Sequence, residues 1–455
     1  MSLLDRFINK MLSKQIAEMR RSIGSEVYQA MMRHVGGTAV YMGDNVENYI
    51  EQGYIFNPHV YSIVSFLAQK ASAIPWYVYQ VKDEKSLSLY KSSSPQLGYK
   101  RQIVRTKAMV EVEDHELSGL FLRPNPLQSW SELCEQAVGF LLITGDSYLH
   151  AIGPTNGLNA GLLKEMWGLP SQVMRILPGD RTRPVRGYIY QPDSSVVIPL
   201  EEMIHLKYWT PEYASGAFLY GMSPIRAGRR VVTKSNASYD SSVASFQNMG
   251  AYGMITAGDT SKDSEPFTEE QAEMVRKRYG KLTGPKNAGK PLITSANLKW
   301  QQIGMSPADL QVIESDKMDM RTLCNIFHVP SELFNDASNK TYSNTKEAGS
   351  AVYTNAVIPA LSKMRDGINA FIYPKYQGKF YVDFDTSMIS ELQEDIQYLS
   401  TALSQCWWVT GNERREIMGF GQDESNPMLD DYLVPAGLLP MMGMGIPDNL
   451  LDENE

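Results

Sequence analysis

The sequence predicts an α+β protein built from several domains, and three observations support this class. Its 455 residues exceed the size at which one hydrophobic core stops growing. Short apolar segments separated by turn residues predict strands as far as residue 208, interleaved with helical patterns. Two long helical patterns then follow, and each begins with a serine as N-cap and a proline at the first helical position, Ser223-Pro224 and Ser306-Pro307.

The composition is that of a soluble globular chain, with 43% hydrophobic and 21% charged residues. The longest apolar runs, such as 138–143, are far shorter than the roughly 20 residues of a membrane span. Charges interrupt the first ten residues, where a secretory signal needs an apolar stretch. We therefore expect an intracellular protein without a membrane anchor. Three widely separated cysteines argue against a disulfide framework or a zinc site.

The charge is divided unevenly along the chain. From residue 380 onward there are two basic side chains and fifteen acidic ones, whereas residues 222–304 hold twelve basic and seven acidic ones. Such asymmetry suggests that the two regions face different partners. A C-terminal region that only keeps the protein soluble is an equally good interpretation of the acidic excess.

Before residue 222 the pattern predicts an amphipathic N-terminal arm and then a mixed body. Residues 57–80 predict a helix that runs into an aromatic strand, and residues 82–107 an exposed hairpin or loop. Ser129 to Glu132 begin another helix, and Gly145 opens the strand that follows it.

Beyond residue 222 the pattern predicts two long helices, Ser223–Asn248 and Ser306–Phe327, with a compact insertion between them. This order predicts that the two helices are antiparallel. Val329-Pro330 should end the second one, because a residue before proline is pushed out of the helical region. A polar loop follows, and then another helical pattern from Ala348 to Phe371 in which Pro359 should produce a kink.

Patterns that would indicate catalysis are incomplete. Residues 284–290 have the spacing of a phosphate-binding loop, but Pro291 occupies the place of the Ser or Thr that would hold magnesium. The six histidines lack a metal-binding spacing, and His205 is expected to be structural. Asp383 and Asp385 place two carboxylates on one strand face, for which a solvated strand end is the preferred interpretation. The sequence predicts a non-enzymatic protein with no cofactor and no metal.

Taken in order, eight short motifs resemble those of the portal proteins of tailed double-stranded DNA bacteriophages. They cover roughly residues 45 to 435, and their order makes the resemblance more specific than any one of them. The motifs are Leu122-Arg-Pro-Asn-Pro126, Gly145-Asp-Ser-Tyr148, Glu202-Met-Ile-His-Leu-Lys207, Gly221-Met-Ser-Pro-Ile225, Asn287-Ala-Gly-Lys290, Ile326-Phe-His-Val-Pro330, Tyr342-Ser-Asn344 and Thr410-Gly-Asn-Glu-Arg-Arg415.

The resemblance implies a portal-type subunit. It would have a mixed α/β wing, two long antiparallel stem helices, a small α/β clip and a mostly helical crown. The implied segments are an N-terminal arm (1–44), the wing (45–221 and 346–386), the stem helices (222–249 and 305–328), the clip (250–304), the tunnel loop (329–345), and the crown with the C-terminal tail (387–455).

Three sets of residues acquire roles from the resemblance. The tunnel loop would face DNA through Asn335, Ser338, Asn339, Lys340, Thr341, Tyr342, Asn344 and Lys346. The clip would meet partners through Arg276, Lys277, Arg278, Lys281, Lys286 and Lys290. The stem would form ring contacts through Arg226, Arg229, Arg230, Lys234, Asp316 and Asp319.

Plainer interpretations remain for each set. The loop could be a simple helix–helix connection, and the clip residues a solvated charged face. The basic stem residues could face DNA or pair with Asp316 and Asp319 on the other helix, and we favour pairing.

The implied function is a ring, usually of twelve copies, at one capsid vertex of the virion, made in the host cytoplasm. Double-stranded DNA would pass through it without sequence specificity during packaging and ejection. The large terminase, the capsid protein and head–tail adaptor proteins would bind it, and no membrane would be involved. The alternatives are a connector or scaffold protein that does not bind DNA, and a metal-dependent DNA-processing enzyme that uses Asp383 and Asp385.

Overall fold

The computed structural model describes residues 41–92, most of 104–248, short stretches between 253 and 302, 312–336, 342–386 and most of 389–431. The chain divides into two compact units. Unit 1 consists of Met1–Ala71, Ser131–Ala151 and Met166–Lys340. Unit 2 consists of Ser72–Trp130, Ile152–Glu165 and Thr341–Glu455. The predicted N-terminal arm as far as residue 40 and the tail after residue 431 lie outside the described residues.

The described helices differ widely in length. They are α1 (Val46–Asn48, continued by the π-helical turn Tyr49–Ile55), α2 (Pro58–Ser72), α3 (Glu84–Ser92), α4 (Glu116–Leu120), α5 (Trp130–Thr144), α6 (Pro224–Asn248), α7 (Val312–Ile326), α8 (Tyr342–Val352), α9 (Ile358–Lys375), α10 (Ile396–Gln405) and α11 (Gly411–Ile417).

The described strands form small antiparallel sheets. The strands are β1 (Trp76–Val81), β2 (Met109–Glu111), β3 (Asp146–Ile152), β4 (Glu165–Leu169), β5 (Met174–Pro178), β6 (Val185–Tyr190), β7 (Val197–Ile198), β8 (Met203–Lys207), β9 (Gly253–Ala257), β10 (Leu298–Gln302) and β11 (Phe380–Phe384). Their orders are β11-β1-β2, β4-β3-β8, β5-β6-β7 and β10-β9. The predicted α+β class is confirmed.

Unit 1 has an aromatic and aliphatic core against two of its sheets. Tyr148 on β3 and Tyr188 on β6 pack together with Met203 at the start of β8. These side chains point to one face of their strands, as the two-residue period of a half-buried strand requires. In α2, the apolar stripe is buried along one face: Val60, Ile63, Val64 and Leu67.

Unit 2 is organised around the central strand β1. Val78 pairs with Val382 on β11, and Tyr79 pairs with Glu111 on β2. Asn369 on α9 donates to the carbonyl of Val382 and accepts its N–H. A side chain therefore satisfies the outer edge of β11 at this position, where a further strand would otherwise pair.

The prediction of an exposed hairpin or loop at 82–107 is wrong for its first part. Residues Glu84–Ser92 form helix α3. Asp83 accepts from the backbone N–H and the hydroxyl of Ser86, as an N-cap does. Tyr90 is buried and packs with Tyr79 and Met109. Most residues of this segment are polar, which is why the sequence predicted a loop. The helix is nevertheless attached to the core through the aromatic ring of Tyr90.

The expected kink at Pro359 coincides with a local change of helix type. The π-helical turn Tyr353–Val357 separates α8 from α9, and Pro359 lies in the first turn of α9. Proline has no N–H to give to the carbonyl four residues earlier, so a wider turn at this point is the expected response.

Candidate functional site

The long helix α6 begins at a junction where three of the sequence motifs meet. Asp146 is buried at 4% exposure, and its Oδ1 accepts the N–H of Gly221 at 2.7 Å. The same oxygen lies 2.8 Å from Nε2 of His205 on β8. The ring of His205 stacks on Tyr148 at 4.4 Å between centroids. His205 thus has a carboxylate partner and a structural role at this junction.

Gly145 brings the backbone of this junction into close contact. Its φ is +83°, and its carbonyl accepts the N–H of Tyr208 at 2.9 Å. A Cβ at this position would lie 2.5 Å from the carbonyl carbon of Met222 and 2.7 Å from the nitrogen of Ser223. Only glycine fits both the left-handed backbone and this approach.

Ser223 caps α6, as its sequence signature predicted. Its Oγ accepts the N–H of Ile225 at 3.1 Å and donates to the carbonyl of Ile143 at 2.5 Å. The hydroxyl therefore joins the start of α6 to the end of α5. We call the set that fixes this junction the anchor: Gly145, Asp146, His205, Gly221 and Ser223.

The helices α6 and α7 pack as an antiparallel pair in unit 1, which confirms the prediction. As the residue number rises along α6, the number of its partner on α7 falls. The contacts are Gly228 with Ile326, Lys234 with Asp319 and Tyr239 with Asp316. The predicted beginning of the second helix at Ser306-Pro307 lies outside the described residues.

Lys234, the lysine of the predicted stem set, forms an ion pair from α6 to α7. Lys234 Nζ lies 2.5 Å from Oδ1 of Asp319, a residue that is only 3% exposed. Asp316 instead pairs with His59 on α2 at 2.7 Å, and the hydroxyl of Tyr239 lies 3.3 Å from the same histidine. The helix pair is thus bound to α2 as well as to itself.

The three arginines of this set do not pair with the acids of α7. Their partners precede α6 in the chain: Arg226 pairs with Asp44 and Glu212, Arg229 pairs with Asp44, and Arg230 lies over the ring of Tyr41. Our favoured interpretation, pairing with Asp316 and Asp319, is therefore wrong for the arginines. Asp44 and Glu212 carry no local sequence pattern that would reveal these long-range pairs.

The end of α7 differs from the prediction that Val329-Pro330 stops it. His328 adopts a left-handed backbone with a φ of +59°. Its N–H bonds to the carbonyl of Asn325 at 3.2 Å, and the N–H of Val329 bonds to the carbonyl of Cys324 at 2.9 Å. These two bonds form a Schellman motif, so the helix is already closed before Pro330.

The turn after α7 forms the first part of the predicted tunnel loop, and an ion pair holds it. Arg321 donates to both carboxylate oxygens of Asp336, at 2.6 and 2.7 Å, and the hydroxyl of Ser331 adds a bond of 3.0 Å. Asn335 is exposed, with a φ of +63°. We call residues 331–336 the loop entry. A cleft of about 420 Å³ lies beside it, and its lining includes Met320 and Phe334.

The structure covers only part of the predicted DNA-facing set. Asn335 belongs to unit 1, and Lys346 is an exposed residue of α8 in unit 2. Tyr342 and Asn344 lie in the first turn of α8, so the loop is shorter than predicted at its C-terminal end. The remaining members lie outside the described residues: Ser338, Asn339, Lys340 and Thr341.

The predicted clip is also described only in part. Its two ends are joined by strands β9 and β10, which pair from Gly253↔Gln302 to Ala257↔Leu298. Lys277 is an exposed helical position. The other predicted partner residues lie outside the described residues, as does the segment with phosphate-loop spacing: Arg276, Arg278, Lys281, Lys286 and Lys290.

The carboxylate pair of the enzyme alternative does not form a solvated strand end. Asp383 is 1% exposed, accepts from the hydroxyl of Tyr90 at 2.6 Å and lies 3.5 Å from Arg365. Asp385 pairs with Arg105 at 3.4 Å. Our expectation of solvation is therefore wrong for Asp383.

Across the part of the chain that the structure describes, no group of three or more His, Cys, Asp or Glu side chains is placed to hold a metal ion. Among the same residues, no helix has both the length and the apolar character needed to cross a bilayer.

The last motif of the resemblance has a structural explanation in unit 2. Thr410 and Glu413 form a capping box, in which each backbone N–H bonds to the side chain of the other residue, at 3.0 and 3.2 Å. Asn412 donates to Asp430 at 2.7 Å and accepts from the N–H of Asp423 at 3.0 Å. The motif thus orders the start of α11 and the segment after it.

Comparison with known proteins identifies the family. A family model described as phage portal protein matches residues 58–419, so the chain belongs to the phage portal protein family. An uncharacterized protein of Rickettsia bellii (strain RML369-C) is 26% identical over 376 residues, which cover 80% of this chain and 87% of that protein.

Two solved structures have a similar fold. A chain from the neck of an empty GTA particle, computed with C6 symmetry, gives a TM-score of 0.59 at 22% identity and covers 85% of this chain and 96% of that chain. A chain from the neck of the native GTA particle, computed with C12 symmetry, gives a TM-score of 0.57 at 21% identity, with coverages of 86% and 98%. Likeness at these identities concerns the fold.

Proposed function

We propose that this protein forms a closed homo-oligomeric ring, of twelve subunits, at one vertex of a phage capsid. Double-stranded DNA would enter during packaging and leave during ejection through its central channel. Family membership supports the role. The C12 symmetry of a neck particle with a similarly folded chain supports the subunit number. A head-to-tail interface that closes on rotation produces such a ring.

The observation that carries the proposal is the antiparallel helix pair fixed on the anchor. Helix α6 has 25 residues and is about 37 Å long at 1.5 Å per residue. A channel wall must keep its shape while a stiff polymer moves past it. The capped start of α6, the buried Asp146 and the Lys234–Asp319 pair are features of a rigid wall element.

The channel rim would be mainly polar and carry a limited positive charge. Strong phosphate contacts release counterions and hold DNA tightly, whereas a conduit has to let DNA slide. The proposed rim has mainly polar side chains, with Lys340 and Lys346 as its basic members. The carboxylate of Asp336, which precedes these lysines in the chain, is paired with Arg321. That pair is neutral by itself, so the two lysines would set the charge of the rim.

The remaining parts receive proposed partners. The basic insertion between α6 and α7 would dock the large terminase and later the head–tail adaptors, and the wing would contact the capsid protein. The crown, residues 387–455, would face packaged DNA and repel it, since two basic side chains stand there against thirteen acidic ones. In this role the protein is structural and not an enzyme.

Imaging tests the ring. Negative-stain images of the purified protein should contain rings with a central hole. A monodisperse monomer at every salt concentration would contradict the proposal.

A loop deletion tests the DNA channel separately from the ring. Removing residues 337–340 while keeping Asp336 should leave rings intact and reduce the amount of packaged DNA. Replacing the same residues by Gly-Ser-Gly-Ser keeps the length of the loop but removes its side chains. Comparison with the deletion therefore separates the effect of the side chains from the effect of loop length. Normal packaging by the deletion variant would exclude the loop from DNA passage.

A further inference from the structure

A patch of large apolar side chains is exposed on unit 1 where α1 meets α2. Ile55 and Phe56 are each 64% exposed, and Tyr61 is 53% exposed. The ring of Tyr61 packs against that of Tyr54 at 5.2 Å. We call Ile55, Phe56 and Tyr61 the patch. Ile55 and Phe56 directly follow Tyr54 in the chain, and exposed apolar side chains grouped in this way mark interaction surfaces.

The first residues that the structure describes, from Tyr41 onward, lie beside this patch. Met42 is buried, and its N–H bonds to Oγ1 of Thr233 on α6 at 3.1 Å. The segment that carries the patch is bound to the same helix, because Asn236 donates to the carbonyl of Gln52 and accepts from Asn57, both at 2.9 Å. Thr233 and Asn236 are three residues apart, or roughly 4.5 Å along the helix axis.

The forty residues before Tyr41 have the sequence of an amphipathic helix. Apolar side chains recur at gaps of three or four: Leu4, Ile8, Leu12, Ile16, Met19, Ile23, Val27 and Met31. A Gly36-Gly37 pair separates this stripe from Tyr41, and glycine permits the backbone conformations of a chain reversal. The stripe is thus long enough, and attached closely enough, to return to the patch.

The charges of the two surfaces are complementary. Residues 1–40 contain six Lys or Arg side chains and three Asp or Glu. Glu47 and Glu51 are exposed on α1, the helix that leads to the patch, and neither has a basic partner within the described residues. A basic helix seated on the patch would supply such partners at the exposed rim of the contact.

We propose that residues 4–31 form a helix that folds back onto the patch of the same subunit, with its apolar stripe against Ile55, Phe56 and Tyr61. This arm would cover an apolar surface beside α6, whether or not the ring has closed. The arm of the same chain is favoured over that of a second copy, because its attachment at Tyr41 gives it a high effective concentration at the patch.

Trypsin susceptibility of the full-length protein tests the docking. Arg20 and Arg21 lie within the stripe and should be protected when the arm is bound. In the double variant Ile55→Ser/Phe56→Ser, cleavage after these arginines should become at least about tenfold faster, at an unchanged thermal midpoint. The control is Leu122→Ser/Leu127→Ser, which changes two leucines that are each 79% exposed in unit 2. Equal cleavage rates in the patch variant and the unchanged protein would overturn the proposal.

Disulfide trapping identifies which arm occupies the patch. Full-length protein with Phe56→Cys and Cys406→Ser, combined with either Ile8→Cys or Ile16→Cys, is oxidised and run on a denaturing gel. An intramolecular disulfide in at least one combination supports the proposal, and Leu127→Cys in place of Phe56→Cys should give none. Disulfide-linked dimers would overturn the assignment to the same subunit in favour of a second copy. No disulfide in either combination would overturn docking on the patch.

Discussion

The anchor and the loop entry lie at the same end of the helix pair, because α6 begins where α7 ends, yet they are held in different ways. The anchor is buried, and the side chain of Asp146 is 5% exposed. The loop entry depends on the Arg321–Asp336 pair, whose side chains are 37% and 16% exposed. The two regions also differ in backbone contact, since Gly145 touches the start of α6 directly.

We infer from this difference that the anchor is a fixed part of the molecule and that the loop entry is adjustable. A buried acceptor that loses its donors cannot turn to water, so breaking the anchor leaves unpaired polar groups in the interior. An ion pair near the surface exchanges its partner for water at little cost. The helix pair would keep its place on unit 1 while the turn at Asp336 changes its partners. Four substitutions test this contrast, from the largest expected effect to the smallest.

Gly145→Ala should be the most damaging change. The new Cβ would lie 2.5 Å from the carbonyl carbon of Met222, in a left-handed backbone that alanine disfavours. We expect a loss of at least about 3 kcal/mol, with little soluble protein and no rings. Soluble yield, the thermal midpoint and negative-stain images measure the outcome.

Gly139→Ala is the matched control for this substitution. Gly139 lies inside α5, and a Cβ there meets nothing within 4 Å. Alanine at this position should stabilise the helix by about 0.5 to 1 kcal/mol. If the two variants behaved alike, a steric role for Gly145 would be wrong.

Asp146→Ala should have the second-largest effect. It removes the acceptor of the Gly221 N–H and of His205 together, which we expect to cost about 2 to 4 kcal/mol. Asp146→Asn should cost less, because an amide oxygen can still accept the Gly221 N–H. Urea unfolding of the two variants checks the order. Equal losses would indicate that the charge of Asp146 matters and the accepted hydrogen bond does not.

Features that depend on local signals were predictable from the sequence. The capped start of α6 follows from Ser223-Pro224, and the apolar stripe of α2 from its spacing. The antiparallel pair follows from two helices that flank one insertion. The motif residues Gly145, Asp146 and Gly221 were found in sequence, but their contact with one another was not, because Gly221 lies far along the chain from the other two.

Features that depend on tertiary contact were not predictable. Asp383 has the sequence context of an exposed strand end and is buried against Tyr90 and Arg365. The arginines at the start of α6 pair with Asp44 and Glu212. Asp44 lies far from these arginines along the chain, and no sequence pattern links either acid to them. His328 takes the left-handed position at the end of α7 that sequence rules assign to glycine or asparagine.

Arg321→Ala should have a small effect on stability and a larger one on DNA. The pair that it breaks is partly exposed, so we expect a stability loss well below that of Asp146→Ala and normal ring assembly. Release of Asp336 would add a negative charge at the loop entry, so the DNA content of purified particles should fall. Arg123→Ala, an arginine of unit 2 that donates to a backbone carbonyl, is the control. A stability loss comparable to that of Asp146→Ala would contradict the contrast between the fixed anchor and the adjustable loop entry.

The smallest effect is expected at Asp44, which ties Arg226 on the first turn of α6 to the segment before α1. Partial burial acts to raise the pKa of Asp44, but the hydrogen bond from Tyr49 and the charge of Arg226 outweigh it, so this pKa lies below its ordinary value of 3.8. A carboxyl group with a lowered pKa stabilises the fold above its unfolded pKa, and that contribution is lost as the pH falls through the folded pKa.

Asp44→Asn should therefore lower the urea midpoint slightly at pH 7. Because the side chain of Asp44 is 37% exposed, we expect a loss of no more than about 0.5 kcal/mol. The difference from the unchanged protein should shrink as the pH falls below 3.8 and through the lower pKa that Asp44 has in the folded protein, because the carboxylate becomes protonated over this range. A difference that stays constant over this range would mean that Asp44 acts through its shape and hydrogen bonds and that its charge contributes nothing.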